Sequence, residues 1–363
     1  MTETGPNSSP LNVRALAPLA QKNLSAMAWA YYDSGADDEI TLRENEAAWG
    51  RASLHYRVMA DVENRSATTR VLGHELSCPI MAAPTAFHGL AHEAGELATA
   101  TATHDAGTAM ILSSLSTTNV EEVTACSNGP VFFQLYLYRD REVSRDLIHR
   151  VQEAGCKAIV LTVDAPMLGN RERDVHGRFS LPEHLKICNL KADEALSFSS
   201  RGGSGLAEFF QDHLDPGLKW EHLDWMRSVT DLPIVLKGIC RADDAKQAVK
   251  SGVDALVVSN HGGRQLDTSP ATFDVLPRVC DAVGGASEVW VDGGIRRGTD
   301  VIKALAAGAT ATLIGRPILW GLGYNGQDGV ADVWSMMQRE LDLGMALCGC
   351  RDVSQITRDL LTG

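Results

Sequence analysis

The sequence predicts an α/β protein of the (β/α)8 TIM barrel class, with an N-terminal helical segment before the barrel and a long loop after its fourth strand. Three observations support this fold. Short apolar, β-branched runs alternate with helix-like stretches about eight times from Cys78 onward. The predicted strands end in polar residues, which is typical of barrel strands that present reactive groups at their C-terminal ends. The length of 363 residues accommodates one such barrel with insertions.

The N-terminal segment, residues 1–77, comes first in the chain. After a short polar lead, residues 16–32 are predicted to form one helix. The sequence Asp33-Ser34-Gly35-Ala36-Asp37-Asp38-Glu39 ends this helix, because turn-forming and acidic residues interrupt the apolar pattern. The barrel follows over residues 78–349, and we expect residues 1–363 to form a single domain.

The eight barrel strands are predicted from the apolar runs. They cover residues 79–83, 109–112, 131–136, 158–163, 233–237, 255–259, 288–292 and 311–315. Helical stretches separate them, and glycine stands near several helix ends, as a C-cap requires. Examples are residues 94–105, 140–154, 242–251 and 299–306. Eight such units predict a closed parallel barrel.

The loop after the fourth strand covers residues 169–220 and is far longer than an ordinary barrel loop. It contains the glycine-rich sequence Arg201-Gly202-Gly203-Ser204-Gly205. Charged residues interrupt its phenylalanines Phe198, Phe209 and Phe210, which argues against a membrane-anchoring segment. We interpret this insertion as a lid-like, mobile cover of an active site, and a disordered surface loop is the alternative.

Composition argues against several classes of protein. The net charge of -13 disfavours nonspecific binding to nucleic acid or to an anionic membrane, and no apolar run is long enough to span a bilayer. The eight cysteines include no Cys-x-x-Cys pair, so the sequence predicts neither a metal site nor a disulfide framework. We expect buried thiols in a cytoplasmic protein.

The sixth predicted strand leads into the motif Ser259-Asn260-His261-Gly262-Gly263-Arg264-Gln265-Leu266-Asp267. Its glycines allow the backbone to turn sharply and to approach a ligand. From one loop, His261 can serve as a proton acceptor and Arg264 as a carboxylate clamp. The alternative is a surface turn whose histidine and arginine have no catalytic role.

The seventh and eighth predicted strands lead into glycines and arginines. These sequences are Asp292-Gly293-Gly294-Ile295-Arg296 and Gly315-Arg316. Phosphate sites in barrels of this kind form from the loops after strands seven and eight, where glycine amides and arginines surround a dianion. The two loops therefore predict a ligand that carries a phosphate, and the alternative is that the glycines only close tight turns.

The motif after the sixth strand resembles that of the FMN-dependent α-hydroxy-acid oxidase and dehydrogenase family. This family includes glycolate oxidase, lactate oxidase, mandelate dehydrogenase and the flavocytochrome lactate dehydrogenases. The resemblance extends from Tyr31 to about Arg358 and implies FMN as cofactor. Because the chain has no appended heme domain, the flavocytochrome type is disfavoured.

The resemblance also implies which residues bind FMN. Lys237 places a cation beside the pyrimidine side of the flavin, where it favours the negative charge of the reduced ring. A structural lysine paired with a barrel carboxylate is the alternative for that position. The full predicted set of cofactor-binding residues is Pro84, Thr85, Ala86, Ser113, Gln134, Thr162, Lys237, Ser259, Asp292, Gly293, Gly294, Arg296, Gly315 and Arg316.

The substrate residues implied by the resemblance have distinct roles. Arg171 and Arg264 match the two arginines that bind the substrate carboxylate. Tyr31 and Tyr136 match the two substrate tyrosines. His261 matches the general base, with Asp164 as its partner. The proton that the base removes comes from either the substrate carbon or its hydroxyl, and the sequence does not choose between them.

Leu115 is the one departure from the family pattern that affects the substrate pocket. It stands where plant glycolate oxidase has a tryptophan over the substrate. Leucine enlarges the pocket and removes a hydrogen-bond donor. We therefore expect a lactate-like or longer aliphatic 2-hydroxy acid, with Leu115 in contact with it.

The activity that the resemblance implies is oxidation of an (S)-2-hydroxy acid to a 2-oxo acid, with oxygen as acceptor and hydrogen peroxide as product. The partners are then a small 2-hydroxy acid and oxygen, without nucleic acid or membrane, in a homo-oligomer that is a tetramer or an octamer. Three alternatives stay open. They are a dehydrogenase with a quinone or protein acceptor, an FMN barrel that catalyses isomerisation or only binds a phosphorylated ligand, and an interaction scaffold.

Overall fold

The computed structural model describes residues 10–126, 128–190 and 205–362. Its strands are β1 Ser53–Leu54, β2 Thr69–Val71, β3 His74–Leu76, β4 Ile80–Ala82, β5 Met110–Ser113, β6 Val131–Leu135, β7 Ile159–Thr162, β8 Ile234–Ile239, β9 Ala255–Val258, β10 Glu288–Val291, β11 Ala311–Ile314 and β12 Leu361–Thr362. Strands β4 to β11 form a closed parallel barrel in chain order, and β11 pairs with β4. This confirms the predicted (β/α)8 TIM barrel.

Helices surround the barrel and precede it. The α-helices are α1 Ala17–Asn23, α2 Ala26–Asp33, α3 Ile40–Arg51, α4 Gly95–Asp105, α5 Val120–Ala125, α6 Arg141–Glu153, α7 Glu172–His176, α8 Gly205–His213, α9 His222–Val229, α10 Ala242–Lys250, α11 Thr272–Val283, α12 Gly298–Ala306 and α13 Arg316–Cys348. Short 3-10 turns cover Val13–Leu16, His88–Leu90, Val353–Gln355 and Arg358–Leu360.

The predicted elements agree with the structure to within a residue or two at the barrel strands, and one N-terminal prediction was wrong. Residues 16–32 do not form a single helix, because α1 ends at Asn23 and α2 begins at Ala26. The Ser25 hydroxyl accepts a hydrogen bond from the Ala28 amide at 3.1 Å and caps α2. A serine cap stabilises a helix start and so favours two helices at this point.

The barrel interior is filled by alternate strand residues, among them Ile111, Phe132, Val160, Val235 and Trp290. The rings of Phe132 and Trp290 stack with centroids 5.9 Å apart. Since side chains alternate along a strand, the residue two places after an inner core residue also faces inward, at the C-terminal end of the barrel. These positions hold Ala83, Ser113, Gln134, Thr162, Lys237, Ser259, Asp292 and Gly315. The barrel thus gathers polar side chains from six of its eight strands at one end.

Two small sheets lie outside the barrel. One covers its opposite end, and the other joins the N-terminal segment to the C-terminal one. The β2–β3 hairpin buries Val71 and Leu76 in the same cluster as the barrel interior. Strand β1 pairs antiparallel with β12, with Ser53 opposite Thr362. The N-terminal segment is therefore fastened to the C-terminal one.

The insertion after β7 is described over residues 169–190 and 205–220, where it forms α7 and α8. The predicted glycine-rich sequence up to Ser204, together with Phe198, lies outside the described residues. Within the described residues, no helix combines the length and apolar character needed to cross a membrane.

The cysteine prediction was only partly right. All eight are free thiols, and Cys78, Cys156, Cys348 and Cys350 are buried as expected. Cys126 is exposed instead, just after the end of the short helix α5.

Candidate active site

A pocket with an empty volume of about 990 Å³, its open mouth included, lies at the C-terminal ends of the barrel strands. Almost every predicted site residue lines it: Tyr31, Pro84, Thr85, Ala86, Ser113, Leu115, Gln134, Tyr136, Thr162, Arg171, Lys237, His261, Arg264, Asp292, Gly293, Gly294, Arg296, Gly315 and Arg316. The two other predicted residues, Asp164 and Ser259, lie directly behind His261 and Lys237. The structure therefore brings the whole predicted set together.

His261 and Asp164 form a hydrogen-bonded pair at the centre of the pocket. His261 Nδ1 lies 2.9 Å from Asp164 Oδ1, so the Nδ1 hydrogen is donated to the carboxylate and Nε2 is the acceptor on the other side of the ring. His261 has a left-handed backbone with φ of 59°, which is uncommon for a residue other than glycine. Such backbone strain is concentrated at functional sites.

Gly238 makes room for this pair from the neighbouring strand. It has φ of 115° and sits at a register shift between β8 and β9. A Cβ atom at Gly238 would lie 2.5 Å from Asp164 Cβ. Only glycine fits, because both the backbone conformation and the packing exclude a side chain.

The charges around the pair leave the imidazole neutral at rest and the carboxylate ionised. Burial lowers the pKa of His261, Asp164 raises it, and Lys237 and Arg171 lower it, so that its pKa lies below the ordinary histidine value. Burial raises the pKa of Asp164, but His261 and Lys237 outweigh burial and the net shift is downward. A neutral imidazole with an ionised partner is suited to accept a proton.

Ser259 connects the base to the buried lysine. Its hydroxyl oxygen accepts from Lys237 Nζ at 2.9 Å and from the His261 amide at 3.1 Å. Lys237 Nζ also lies 3.0 Å from Asp292 Oδ2. Burial lowers the pKa of Lys237, but Asp292 and Asp164 outweigh burial and raise its pKa overall. Lys237 therefore has a carboxylate partner and still lines the pocket as a permanent cation.

Polar side chains from three adjacent strands form one network across the pocket wall. Gln134 Oε1 accepts from the Ser113 hydroxyl at 3.3 Å, and Gln134 Nε2 donates to Thr162 Oγ1 at 3.0 Å. All three residues are buried. This network fixes the amide orientation of Gln134, so the wall offers preset donors and acceptors to a planar polar ligand.

The glycine turn after β10 is covered by α3. A Cβ atom at Gly294, whose φ is 79°, would lie 2.0 Å from the Asn45 carbonyl oxygen. Trp49 Nε1 donates to the Gly293 carbonyl at 2.8 Å, and the amides of Asn45 and Asn260 pair twice at 2.8 Å. The N-terminal segment therefore closes this end of the pocket.

Two polar side-chain atoms near the glycine turn after β10 lack a hydrogen-bond partner among the described residues. They are Arg296 Nε and Asp292 Oδ1. Arg296 is buried, its Nη2 lies 2.9 Å from Glu46 Oε1, and its guanidinium stands 4.8 Å from the centre of the Trp320 ring. A buried arginine with an unused donor beside a glycine turn fits a phosphate group.

The side chain of Arg316 contacts the N-terminal segment as well as the pocket. Its Nε donates to the Tyr32 carbonyl at 3.1 Å, its Nη2 to the Ser34 carbonyl at 2.9 Å and its Nη1 to the Gly262 carbonyl at 3.1 Å. Burial, followed by repulsion from Arg264 and Arg296, lowers the pKa of Arg316 to about 9. Arg316 thus ties together the segments that carry Tyr31 and His261.

Arg171 and Arg264 lie side by side in the part of the pocket that Tyr31 also lines. Arg171 Nε donates to the Arg264 carbonyl at 3.1 Å, and Arg264 Nη1 donates to the Ser34 carbonyl at 2.9 Å. Burial and then Arg264 lower the pKa of Arg171 to about 10. The remaining guanidinium donors face a pocket with excess positive charge, which suits a carboxylate ligand.

Two tyrosines stand beside this arginine pair. Tyr31 stacks on Phe179 at 4.3 Å, and the Arg264 guanidinium lies 4.9 Å from the centre of the Tyr31 ring. Burial is the main cause that raises the pKa of Tyr31 and of Tyr136, so both phenols keep their protons. Each can therefore donate a hydrogen bond to an anion.

Two residues on the apolar side of the pocket were not among the predicted site residues. Leu206 and Phe210 of α8 line it together with the predicted Leu115. The spacing of Leu206, Phe209 and Phe210 is that of one buried helix face, a signal that was present in the sequence. The predicted cover thus includes a helix that contributes wall residues.

The described residues hold no group of three or more His, Cys, Asp or Glu side chains that could bind a metal ion. The donors instead fit an organic cofactor with a phosphate at one end and a polar ring at the other. The unused Arg296 Nε and the glycine turn serve the first end, and the Gln134 network with Lys237 serves the second.

Comparison with known proteins gives consistent matches over the full chain. A family model described as FMN-dependent dehydrogenase matches residues 20–363. The chain is 51% identical to an L-lactate oxidase of Nostoc sp., covering 98% of each protein. It is 48% identical to 2-hydroxyacid oxidase 1 of Mus musculus, covering 93% of this chain and 92% of that protein. A solved structure of mandelate oxidase with (S)-4-hydroxymandelic acid matches with a TM-score of 0.92 at 38% identity, covering 97% of this chain and 98% of that one.

Proposed function

The chain belongs to the FMN-dependent dehydrogenase family, and we propose that it oxidises an (S)-2-hydroxy acid to the 2-oxo acid with oxygen as acceptor, which yields hydrogen peroxide. The observation that carries the proposal is the placement of the His261–Asp164 pair and the Arg171–Arg264 pair on one pocket. Relatives named L-lactate oxidase and 2-hydroxyacid oxidase, at 51% and 48% identity, support the choice of reaction.

The pocket has two regions that together recognise a 2-hydroxy acid. We call His261 and Lys237, with Asp164 behind them, the base region, and Arg171, Arg264 and Tyr31, with Asp174 behind them, the anion region. In the anion region the two guanidinium groups and the Tyr31 hydroxyl bind the substrate carboxylate. Binding there orients the hydroxyl-bearing carbon toward His261 and the cofactor ring.

The rest of the pocket would hold FMN. The Gly293–Gly294 turn and Arg296 would hold its phosphate, and Ser113, Gln134, Thr162 and Lys237 would hold its ring. Bound FMN supplies the redox chemistry, since it accepts two electrons from the substrate and passes them to oxygen. The Lys237 cation stabilises negative charge that develops near it during the reaction.

His261 is the proton acceptor. It is neutral at rest because burial and nearby cations lower its pKa. On taking a proton it becomes a cation beside the ionised Asp164, which stabilises it at a separation of 2.9 Å. The proton comes from the substrate hydroxyl or from its carbon, and both routes use the same base. Tyr136 donates a hydrogen bond to the hydroxyl oxygen of the substrate.

The apolar wall selects the substrate side chain. Leu115, Leu206 and Phe210 face the pocket without a hydrogen-bonding group. They favour a methyl or longer alkyl group over the bare hydrogen of glycolate, because apolar contact with the added carbons stabilises the complex. We propose lactate or a longer aliphatic 2-hydroxy acid as the preferred substrate.

Turnover of the FMN-loaded protein in air tests the proposal. L-lactate, glycolate, L-mandelate and 2-hydroxyoctanoate are supplied separately, and oxygen consumption, peroxide and 2-oxo acid are measured. Equal amounts of all three, with lactate or hydroxyoctanoate as the better substrate, are expected. Slow oxygen use with fast quinone reduction would favour a dehydrogenase instead, and no turnover with any acceptor would contradict the proposal.

We further propose a cytoplasmic homo-oligomer, a tetramer or an octamer. Exposed apolar side chains support an assembly: Tyr56, Val58 and Met59 precede the barrel, and Leu343 and Leu347 lie near the end of α13. These segments are neighbours, since the Arg57 amide donates to the Cys348 carbonyl at 3.2 Å. An exposed apolar patch of this kind is typical of a protein interface. Light scattering that gives the mass of a single chain would contradict this assembly.

A further inference from the structure

Asp174 is a buried carboxylate in the anion region that the proposed reaction does not use. It lies in α7, next to Arg171 in space, and is 2% exposed. Its Oδ1 accepts a hydrogen bond from the Ser34 hydroxyl at 3.2 Å. Its Oδ2 has no hydrogen-bond partner among the described residues. A buried carboxylate oxygen without a donor is costly and calls for an explanation.

The carboxylate faces the substrate-binding arginines without bonding to them. The Ser34 hydroxyl stands between them, 3.2 Å from Asp174 Oδ1 and 3.4 Å from Arg264 Nη1. Arg171 donates instead to the Arg264 carbonyl and to Gln265 Oε1. The arginines are therefore held in place by other groups, and Asp174 acts on them through its charge.

Asp174 offsets part of the positive charge of the arginines in the anion region. Arg171 and Arg264 lie together in a buried site, and their mutual repulsion contributes to the lowered pKa of Arg171. Two further cations lie nearby: Arg173 is paired with Asp33 at 3.3 Å and with Glu39 at 3.5 Å, and Arg316 donates to the same Ser34 carbonyl as Arg264. Asp174 therefore cancels one of the positive charges that a substrate carboxylate meets in this region.

We propose that Asp174 is the internal counter-charge of the substrate-anion site and keeps the binding of the substrate and product carboxylates weak enough for release. This inference rests on the proposed function. Without Asp174 the site would carry one more excess positive charge, and a carboxylate would bind more tightly. Asp174 acts through the two arginines, since it is not among the residues that line the pocket.

The sign of the effect separates this role from a structural one. A residue needed only to shape the site would weaken anion binding when replaced. Asp174→Asn keeps an oxygen for the Ser34 hydroxyl and removes only the charge. We expect it to tighten the binding of an anion by about tenfold, the order of magnitude for one partly screened charge at this range.

The test is an absorbance titration of the oxidised, FMN-loaded protein with oxalate, which mimics a 2-oxo acid but cannot be oxidised by the same route. Lactamide, a neutral analogue of lactate, is the control ligand. Asp254→Asn is the control variant, because Asp254 bonds to the Ile234 amide at 2.8 Å at the opposite end of the barrel. The Kd for oxalate should fall about tenfold in Asp174→Asn and stay unchanged in Asp254→Asn, with lactamide unaffected in both.

Steady-state kinetics give a second readout. In Asp174→Asn the KM for L-lactate should fall, and kcat should fall with it where product release limits turnover. Asp174→Ser, which is smaller and also bonds to Ser34, must shift the oxalate Kd in the same direction if Asp174→Asn does not fold. Unchanged or weaker oxalate binding in a folded, FMN-loaded variant overturns the inference.

Failure of the proposed function gives a different result. In that case the wild-type protein itself neither responds to oxalate nor is reduced by any 2-hydroxy acid. A wild type that is reduced by lactate, with a variant that binds oxalate no more tightly, leaves the function intact and removes the role of Asp174.

Discussion

Asp164 and Asp174 are carboxylates beside the same pocket, the first largely and the second fully buried, and their pKa values shift in opposite directions. Burial raises the pKa of Asp164, but the charge interaction and the hydrogen bond with His261, together with the Lys237 charge, outweigh burial. Burial also raises the pKa of Asp174, and there Arg264 and Arg171 do not overcome it. The partner in direct contact, His261, together with Lys237 keeps the pKa of Asp164 low, whereas the two arginines near Asp174, which do not bond to it, leave its pKa raised.

In the reaction that we propose, the two carboxylates serve different steps. In the base region, Asp164 would act by contact and stabilise a charge that forms on His261 during the reaction. In the anion region, Asp174 would act at a distance on charges that are always present. Changes in the base region should alter the rate of the chemical step, and changes in the anion region should alter binding.

Removal of the base should give the largest effect. His261→Asn is the suitable variant, because asparagine tolerates the left-handed backbone at this position, where φ is 59°. We expect flavin reduction by L-lactate to slow about a thousandfold, since the proton acceptor is lost. Anaerobic stopped-flow absorbance measures the rate. FMN content and oxalate affinity should stay near the wild-type values, and reduction at a near-normal rate would remove His261 from the mechanism.

Asp164→Asn should give the next largest effect. We expect about a hundredfold slower reduction, because the cation formed on His261 loses its partner. The pH profile gives the sign. In the wild type the rate rises with pH as His261 loses its proton and then levels off. Loss of Asp164 lowers the pKa of His261 further, so the acidic limb should move to lower pH while the plateau falls.

Asp174→Asn is the matched comparison for Asp164→Asn, since both replace a buried carboxylate by an amide. Asp164→Asn should leave oxalate affinity nearly unchanged while it slows reduction. If the acidic limb of the rate–pH profile moves to higher pH in Asp164→Asn, the assignment of Asp164 as the partner of His261 is contradicted.

Arg171→Lys tests the anion region by contact. Lysine lacks the planar fork and the Nε donor that bonds to the Arg264 carbonyl at 3.1 Å. We expect the KM for L-lactate to rise about tenfold, with a smaller change in kcat. Arg173→Lys is the control, because Arg173 pairs with Asp33 and Glu39. A lower kcat at unchanged KM would place Arg171 in the chemical step instead.

Leu115→Trp should give the smallest effect, on substrate preference alone. The larger ring narrows the apolar side of the pocket, so the ratio of kcat/KM for glycolate to that for 2-hydroxyoctanoate should rise several-fold. Leu115→Ile conserves volume and should leave the ratio nearly unchanged. If the tryptophan variant has the wild-type ratio, Leu115 does not contact the substrate.

The parts of the molecule that could be predicted from sequence are those that local patterns determine. The barrel followed from the apolar runs, and the pocket followed from the rule that parallel strands place their C-terminal residues at one end. His261 and Arg264 could be identified because they share one loop with two glycines. In each case the signal lies within a few consecutive residues.

The parts that could not be predicted depend on contacts between distant segments. Helix α3 closes the glycine turn after β10 through Asn45 and Trp49, which are far from that turn in the sequence. The isolation of Asp174 Oδ2 is equally a property of the packed structure. No local spacing encodes such contacts, since they arise from tertiary packing and burial.

The most direct test of the proposed reaction is an anaerobic titration of the FMN-loaded protein with L-lactate, followed by flavin absorbance. We expect the oxidised flavin band to disappear in proportion to the lactate added, with one pyruvate formed for each flavin reduced, and we expect admission of air to restore the band. An oxidised band that persists in the presence of L-lactate, glycolate, L-mandelate and 2-hydroxyoctanoate would contradict the proposed reaction.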